Sequence, residues 1–339
     1  MTTLESELAE LLRATGFAPR QARALSARLG WDGNGGTTLA AAAATEGYTR
    51  ERVRQLEELA RRRFARWCPL LTVTQRALDA IAAVAPARRS EVATRLAAAG
   101  LTEGPFDPYG ALRAAELVGL EPRVRLVDDM LLSPDDAELT DVAITAARQL
   151  TRRSGAADLG EISAVLVGSN GPVEELRRLL GLRREVVWLD AGHRWLTLRG
   201  QWTTPERRLR KMLAVSPVLR LADVEDGLQR TTRPVRLPRE ILRAFCASLD
   251  WLDLDSATDT LAAAVPLDPA RYLSPLEQEL VALVRQAGPV VRLSRAARLA
   301  ERAGLNPTSV TLYLSQSPAI QTVSRGRYAV RGETLVPAA

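Results

Sequence analysis

Apolar residues recur at every third or fourth position along most of the chain, which is the spacing of amphipathic helices. Strand-like alternation is confined to a few short stretches that follow groups of predicted helices. The clearest helical stretches are 4–12, 22–29, 53–64, 74–84 and 276–284, and the strand-like ones are 124–132, 185–198, 250–255 and 320–330. The pattern predicts a mainly α protein with small β-hairpins.

A short junction between predicted helices is repeated along the chain. Residues 217–221 read Pro-Val-Leu-Arg-Leu and residues 289–293 read Pro-Val-Val-Arg-Leu, and similar junctions occur at 86–89 and 156–159. Aligning Arg89, Leu159, Leu221 and Leu293 gives spacings of 70, 62 and 72 residues. A fixed period of this kind indicates four diverged copies of one structural unit.

Each copy is predicted to run helix, short extended link, helix, turn, helix, hairpin. Glycine in the bends at 190–192 and 324–327 suits the tight turns of the second and fourth copies. In the third copy, 256–265 is typical of a helix, so no second hairpin strand is expected there. This order resembles the winged-helix family in shape.

The predicted boundaries are 1–66 for an N-terminal domain and 67–134, 135–202, 203–268 and 269–339 for four winged-helix-like modules.

Composition restricts the classes of protein that remain. The 339 residues are 46% hydrophobic and 25% charged, which is typical of folded globular chains and favours several domains. Charges interrupt every apolar stretch, so neither a signal peptide nor a membrane span is expected, and a cytoplasmic protein is predicted. Cys68 and Cys246 are far apart and the chain has one histidine, so we expect two reduced core thiols, no metal site and no cofactor.

Basic residues are concentrated at the two ends of the chain. The chain carries 46 basic and 40 acidic residues, a net charge of +6, and Lys211 is its single lysine. Residues 1–70 carry +3 and residues 269–339 carry +5, whereas the middle is neutral to acidic. Arginine suits phosphates and guanine edges, although GC-rich coding also enriches arginine. The distribution indicates contact with a polyanion at both ends.

Residues 17–64 carry a more specific signature. Its elements are Pro19-Arg20-Gln21, then 28–33 (Arg-Leu-Gly-Trp-Asp-Gly), Thr38-Leu39, and 47–57 (Gly-Tyr-Thr-Arg-Glu-Arg-Val-Arg-Gln-Leu-Glu). This order resembles region 4 of the sigma-70 family, a helix-turn-helix that holds the promoter −35 element. The chain departs from the family at Ala40-Ala41, where an acidic pair is usual, and at Glu46, where leucine is usual. Nothing after Arg66 resembles the sigma region that melts promoters, so an initiation factor is not expected.

The resemblance implies a DNA-reading surface on the helix that follows Thr49. Thr49 is predicted to cap that helix, and Val53, Leu56 and Ala60 to line its buried side. The resemblance assigns base contacts to Arg50, Glu51, Arg54 and Gln55, and phosphate contacts to Thr38, Arg52, Arg61 or Arg62. A solvated, charge-rich helix surface is the alternative interpretation.

The last module offers a second candidate DNA face. Asn306 is predicted to cap a helix that starts at Pro307. Polar side chains project from this helix and arginines lie near it in sequence: Thr308, Ser309, Thr311 and Tyr313, with Arg292, Arg295, Arg298, Arg325 and Arg327. Winged helices also serve protein contacts, so both uses stay open. The middle modules, with third helices near 107–118 and 238–248 of mixed charge, are expected to space domains or dock partners.

Several other features have simpler interpretations than catalysis. His193 lies in a predicted hairpin bend, with no carboxylate or cysteine immediately adjacent in sequence, and is interpreted as a surface residue. Gly33–Gly36 lack the context of a phosphate-binding loop and are interpreted as an inter-helix turn. The tryptophans are interpreted as core anchors. No catalytic residue is predicted.

Two functions remain. The first is a sequence-specific double-stranded DNA-binding protein, a bacterial transcription regulator or element-recognition factor associated with the nucleoid. The second is a non-enzymatic scaffold that docks on RNA polymerase or another complex through its sigma-like and winged-helix domains. An enzyme is not expected. The oligomeric state is left open.

Overall fold

A computed structural model describes residues 2–66, 70–167 and 173–333. Its contacts divide the chain into two compact units, 1–141 and 142–339. Unit 1 contains helices α1 Leu4–Ala14, α2 Pro19–Leu29, α3 Leu39–Glu46, α4 Arg50–Arg66, α5 Thr72–Val84, α6 Arg89–Ala98 and α7 Pro108–Val118, with strands β1 Ala87–Arg88, β2 Arg125–Val127 and β3 Met130–Leu132. The helix α8, Pro134–Ser154, follows β3.

The elements of unit 2 repeat the order of the second half of unit 1. They are β4 Ala157–Asp158, α9 Leu159–Val167, α10 Val173–Gly181, β5 Val186–Trp188, β6 Trp195–Leu198, α11 Thr204–Leu213, β7 Val218–Arg220, α12 Leu221–Gln229, α13 Arg239–Ala247, β8 Leu252–Asp255, β9 Thr260–Ala263, α14 Pro269–Tyr272, α15 Pro275–Ala287, β10 Val291–Arg292, α16 Leu293–Arg302, α17 Pro307–Gln316, β11 Ile320–Ser324 and β12 Arg327–Val330. The prediction of a mainly α fold with small hairpins is confirmed.

Four three-stranded antiparallel sheets share one topology. In each, the strand between the first two helices pairs with the last strand of the hairpin, giving the orders β1-β3-β2, β4-β6-β5, β7-β9-β8 and β10-β12-β11. Each sheet therefore joins a link between helices to the hairpin that closes the same group of elements.

The four positions aligned by sequence occupy the same structural place. Arg89, Leu159, Leu221 and Leu293 each begin the helix that follows the first strand. The backbone N–H of each donates to the carbonyl oxygen of the residue immediately before the last hairpin strand, at 2.8–2.9 Å; these acceptors are Asp129, Arg194, Asp259 and Gly326. One hydrogen bond thus ties the second helix to the hairpin in all four copies, and it recurs although the residue types differ.

The third copy corrects the expectation of a helix over 256–265. Residues 260–263 instead form β9, which pairs with both β7 and β8. The Asp255 carboxylate accepts hydrogen bonds from the Ala257 N–H (2.8 Å) and the Thr258 hydroxyl (2.7 Å), and Asp259 adopts a φ of +54°. This turn reverses the chain, and pairing with two strands overrides the helix preference of the alanines that follow.

The core of unit 1 is continuous from α1 to β3. It includes Leu8, Leu25, Phe64, Ile81 and Phe106, all at most 1% exposed. The predicted N-terminal domain 1–66 and the following module thus share one core. The division of the chain into five domains stays a prediction.

Unit 2 contains two large clusters of buried apolar side chains. One surrounds Leu209 and Phe245 and also takes in Ala156 from the preceding copy. The other surrounds Val284 and Val310 of the last copy. Arg331, only 1% exposed, donates to the carbonyl oxygens of residues 223, 318 and 320 and pairs with the carboxylate of residue 226 at 2.7 Å. The third and fourth copies are therefore joined by a buried guanidinium.

The tryptophans do not all serve as core anchors. Trp31 is 3% exposed and stacks on Phe64 at 5.8 Å between ring centroids, as predicted. Trp202 is 62% exposed, so the prediction is wrong for this residue, which lies in the link between β6 and α11. Cys246 is buried, which confirms a core thiol, whereas Cys68 and Trp67 lie outside the described residues.

Candidate nucleic-acid interface

Local signals in the sequence place the start of α4. The Thr49 hydroxyl accepts a hydrogen bond from the Arg52 N–H at 3.2 Å, so it caps the helix as predicted. Val53, Leu56 and Ala60 are at most 1% exposed and fix the buried side of α4. Arg54 and Gln55, which lie between Val53 and Leu56, are exposed.

The first two turns of α4 present only polar side chains on their exposed side. Arg50, Glu51, Arg52, Arg54 and Gln55 are all exposed. The Arg54 guanidinium donates two hydrogen bonds of 2.7 and 2.9 Å to the Glu51 carboxylate. The hydrogen bond from Arg54 lowers the pKa of Glu51 and, reciprocally, the pKa of Arg54 is raised. Both side chains stay charged and pre-oriented at the start of the helix.

Gln55 completes this exposed network. Its amide nitrogen donates to Glu51 and its amide oxygen accepts from Arg52, both at 3.4 Å. Glu51, Arg52, Arg54 and Gln55 thus form one network of exposed, hydrogen-bonded side chains.

Arg61 and Arg62, which were also predicted to contact phosphates, lie on the same helix. At 100° per residue, Arg61 falls on the side of α4 that carries Arg50 and Arg54, and about 16 Å separates Arg50 from Arg61. Arg62 is exposed and lies 3.9 Å from Glu58. Thr38 caps α3, and its hydroxyl accepts from the Ala41 N–H at 3.2 Å while remaining exposed. All the α4 candidates are thus exposed.

Glu57 holds α4 in place and was not singled out from the sequence. Its carboxylate is 13% exposed and accepts from Arg28 of α2 and Arg113 of α7, both at 2.9 Å. This double ion pair joins α4 to α2 and α7. A Glu within a charge-rich run gives no sequence signal for such a role.

Glu46 explains one departure from the sigma pattern. Its carboxylate accepts two hydrogen bonds of 2.8 Å from Arg23 of α2, and the Arg20 side chain donates to its backbone carbonyl at 2.7 Å. The hydrogen bond from Arg23 lowers the pKa of Glu46. An ion pair therefore fastens the turn before α4 to α2 at a place where leucine would use apolar contact.

The third helix of the first winged-helix-like copy is not available as a free surface. Asp107, which caps α7, pairs with Arg89, and Arg89 also donates to the Gly35 carbonyl at 3.1 Å. A side chain at Gly110 would collide with the Gly30 carbonyl oxygen. The start of α7 is therefore packed on the turn between α2 and α3, which confirms that Gly33–Gly36 form an inter-helix turn.

The third copy neutralises the cations of its third helix. Arg239 and Arg243 of α13 both reach the Asp259 carboxylate, at 3.1 and 3.6 Å. The mixed charge expected for this helix is thus arranged as internal ion pairs.

Five arginines of the fourth copy are exposed. Arg292, Arg295, Arg298, Arg325 and Arg327 make no ion pair with any residue that the structure describes. Arg292 and Arg327 are brought together, since they are direct partners across β10 and β12. Arg295 follows Arg292 in the first turn of α16. Arg325 lies in the turn between β11 and β12.

The polar helix of this copy is built as predicted. The side-chain Oδ1 of Asn306 accepts from the N–H groups of Thr308 (2.9 Å) and Ser309 (3.3 Å), and Pro307 is the first helical residue. Thr308 and Thr311 are exposed, whereas Ser309 and Tyr313 are half-buried. No described hydrogen bond or ion pair joins these α17 side chains to the exposed arginines.

His193 lies at the surface and Cys246 lies in the core. His193 is exposed in the hairpin turn and stacks on Trp188 at 4.9 Å, as expected of a hairpin-bend residue. Burial raises the pKa of the Cys246 thiol to about 12, which keeps it protonated. Within ranges 2–66, 70–167 and 173–333, no group of His, Cys, Asp and Glu side chains is placed to hold a metal ion.

No protein-family model matches the chain, and no curated protein matches it either. Among the described helices, none combines the length and apolar character needed to cross a membrane.

Proposed function

We propose that this protein binds double-stranded DNA sequence-specifically, as a bacterial transcription regulator or element-recognition factor. The observation that carries the proposal is the exposed start of α4. Arg50, Glu51, Arg54 and Gln55 project there from a capped helix whose opposite side is buried. The beginning of the second helix of a helix-turn-helix is the part that reaches base edges in the major groove. The sigma-70 region 4-like residue order at 17–64 supports the same function.

The four repeated copies are proposed to be winged helices. Their common order of three helices, an intervening strand and a closing hairpin, with the last strand central in each sheet, supports this assignment. The fourth copy is proposed as the second DNA-contacting module, because its wing and α16 carry exposed arginines free of carboxylates among the described residues. Phosphate contacts from such arginines set affinity and position rather than sequence preference.

Selection from a random duplex library tests the proposal. The full chain is expected to enrich one motif and to bind it with an affinity that falls steeply as salt rises, because several phosphates are neutralised. Binding without any enriched motif would contradict sequence-specific recognition.

A second candidate is a non-enzymatic scaffold that docks on RNA polymerase. The packing of α7 favours it, because one winged-helix-like copy already uses its third helix for contacts within the protein. Titration of the full chain with purified RNA polymerase, in the absence of DNA, tests this candidate. Tight polymerase binding together with no duplex binding would replace the DNA-binding proposal.

A further inference from the structure

A cationic cleft lies within unit 2, between α11 and α17. Its volume is about 380 Å³. One wall carries Arg207, Arg208 and Lys211 of α11, and the other carries Leu312, Tyr313 and Gln316 of α17. None of these cations was singled out as a site residue from the sequence.

The positive charge of this cleft is only partly balanced. Lys211 pairs with the Glu277 carboxylate at 2.6 Å, and Glu277 is 2% exposed. Arg207 and Arg208 have no carboxylate within ion-pair distance in the part of the chain that the structure describes. The Arg208 guanidinium donates instead to the carbonyl oxygens of Leu228 (2.8 Å) and Arg233 (3.1 Å).

The surroundings of Arg208 disfavour its positive charge. Burial lowers the pKa of its guanidinium, and the charge of Arg207 lowers it further. Two like charges that are held together without a counter-charge favour an anion as ligand. Because the two carbonyls orient the guanidinium, little side-chain freedom remains to be lost when an anion binds.

The cleft is continuous with the polar helix of the fourth copy. Ser309, Leu312, Tyr313 and Gln316 follow each other at spacings of three, one and three residues, which places them on one side of α17. The neighbouring side carries the exposed Thr308 and Thr311. A helix that enters a DNA groove lies between two phosphate backbones, and helices beside it cross those backbones.

We propose that the cleft between α11 and α17 binds a phosphate of the DNA backbone, held by Arg207 and Arg208. The inference rests on the proposed function, since it requires α17 to face DNA. Arginine forks match phosphate oxygens in geometry and charge. The contact fixes the position of the third and fourth copies on the duplex and carries no sequence preference.

The test compares duplex binding by two double variants of the full chain. Arg207→Gln with Arg208→Gln removes the charge of the cleft. Arg152→Gln with Arg153→Gln removes a matched pair of adjacent, exposed arginines on α8. The cleft variant is expected to bind selected and random duplexes more weakly by the same factor, and its slope of log affinity against log salt should fall by about one, because one phosphate contact is lost. The control pair should leave the slope unchanged.

The remaining outcomes separate the two proposals. If the unmodified protein binds duplex and the cleft variant keeps its salt slope, the cleft assignment is wrong and the proposed function stands. If the unmodified protein does not bind duplex at all, both are wrong. Circular dichroism checks the fold, and the single Arg207→Gln variant of an exposed side chain repeats the comparison should the double variant not fold. If orthophosphate at matched ionic strength protects Arg207 from phenylglyoxal as fully as duplex does, the site takes free phosphate and not DNA.

Discussion

Arg292 and Arg327 lie directly opposite each other on neighbouring antiparallel strands, with no carboxylate partner among the described residues. Like charges in such a pair destabilise a sheet. The sheet therefore tolerates a repulsion that a phosphate would relieve. The repulsion between Arg292 and Arg327 thus lies at the base of the hairpin β11–β12, the wing that we propose contacts DNA.

We expect Arg327→Glu to have opposite effects on the stability of the protein and on its affinity for duplex DNA. The new carboxylate faces Arg292, so the free energy of unfolding should rise by about 0.2–1 kcal/mol, while duplex affinity should fall. Urea unfolding and duplex titration measure the two effects. Arg325→Glu is the control, because Arg325 lies in the turn without a cross-strand partner: it should weaken binding with no gain in stability. A loss of stability in Arg327→Glu would contradict the repulsion.

Substitutions at the start of α4 should weaken specific binding selectively. Arg54→Ala and Gln55→Ala are each expected to cost about 1–3 kcal/mol on the selected duplex and to relax the preference at particular base pairs. The same change at the exposed Arg76 of α5 serves as control. An equal loss on selected and random duplexes would mean that these side chains do not read bases.

Glu277 should make stability depend on pH in the acid range. Burial alone would raise the pKa of this carboxyl, but hydrogen bonds from Lys211, the Ser274 backbone and Ser317 and the charge of Lys211 together lower it. A lowered folded-state pKa stabilises the protein above the unfolded pKa, and this contribution is lost as pH falls through the folded pKa. Glu277→Gln should therefore cost about 3 kcal/mol at neutral pH, since it leaves the Lys211 charge unpaired in the cleft.

Urea unfolding at a series of pH values measures this effect. The difference between the unmodified protein and Glu277→Gln should shrink as the solution is acidified below the ordinary range of a glutamate. Glu279→Gln, an exposed neighbour on α15, should show no such trend. A difference that stays constant with pH would show that the Lys211–Glu277 pair does not carry the effect.

Limited proteolysis tests the division into five domains. First cuts are expected near Arg66, Pro134, Trp202 and Asp268, where Pro, Gly or Asp interrupts the helical pattern. The continuous core of unit 1 adds a second expectation: fragments 1–66 and 67–134 should stay associated after cleavage. Size-exclusion chromatography of the digest measures this. Resistance at all four sites would contradict the division.

Sequence by itself determined the features that depend on neighbouring residues. Thr38, Thr49 and Asn306 each cap the helix predicted for them, because a cap needs only a side-chain oxygen and the amides two or three residues later. The four helix starts at Arg89, Leu159, Leu221 and Leu293 could be aligned from a short repeated junction. The hairpins of the second and fourth copies followed from apolar alternation around a glycine-containing bend.

Only the tertiary structure decided which charged residues are buried or ion-paired within the protein and which are exposed. Glu57 and Arg331 carry no local signal: the partners of Glu57 lie 29 and 56 residues away in sequence, and those of Arg331 lie 11 to 108 residues away. Residues 256–265 became a turn and strand because two other strands supply the hydrogen bonds. Burial and ion pairing depend on contacts between helices and strands that are far apart in sequence. A local pattern of charges and apolar residues does not specify those contacts.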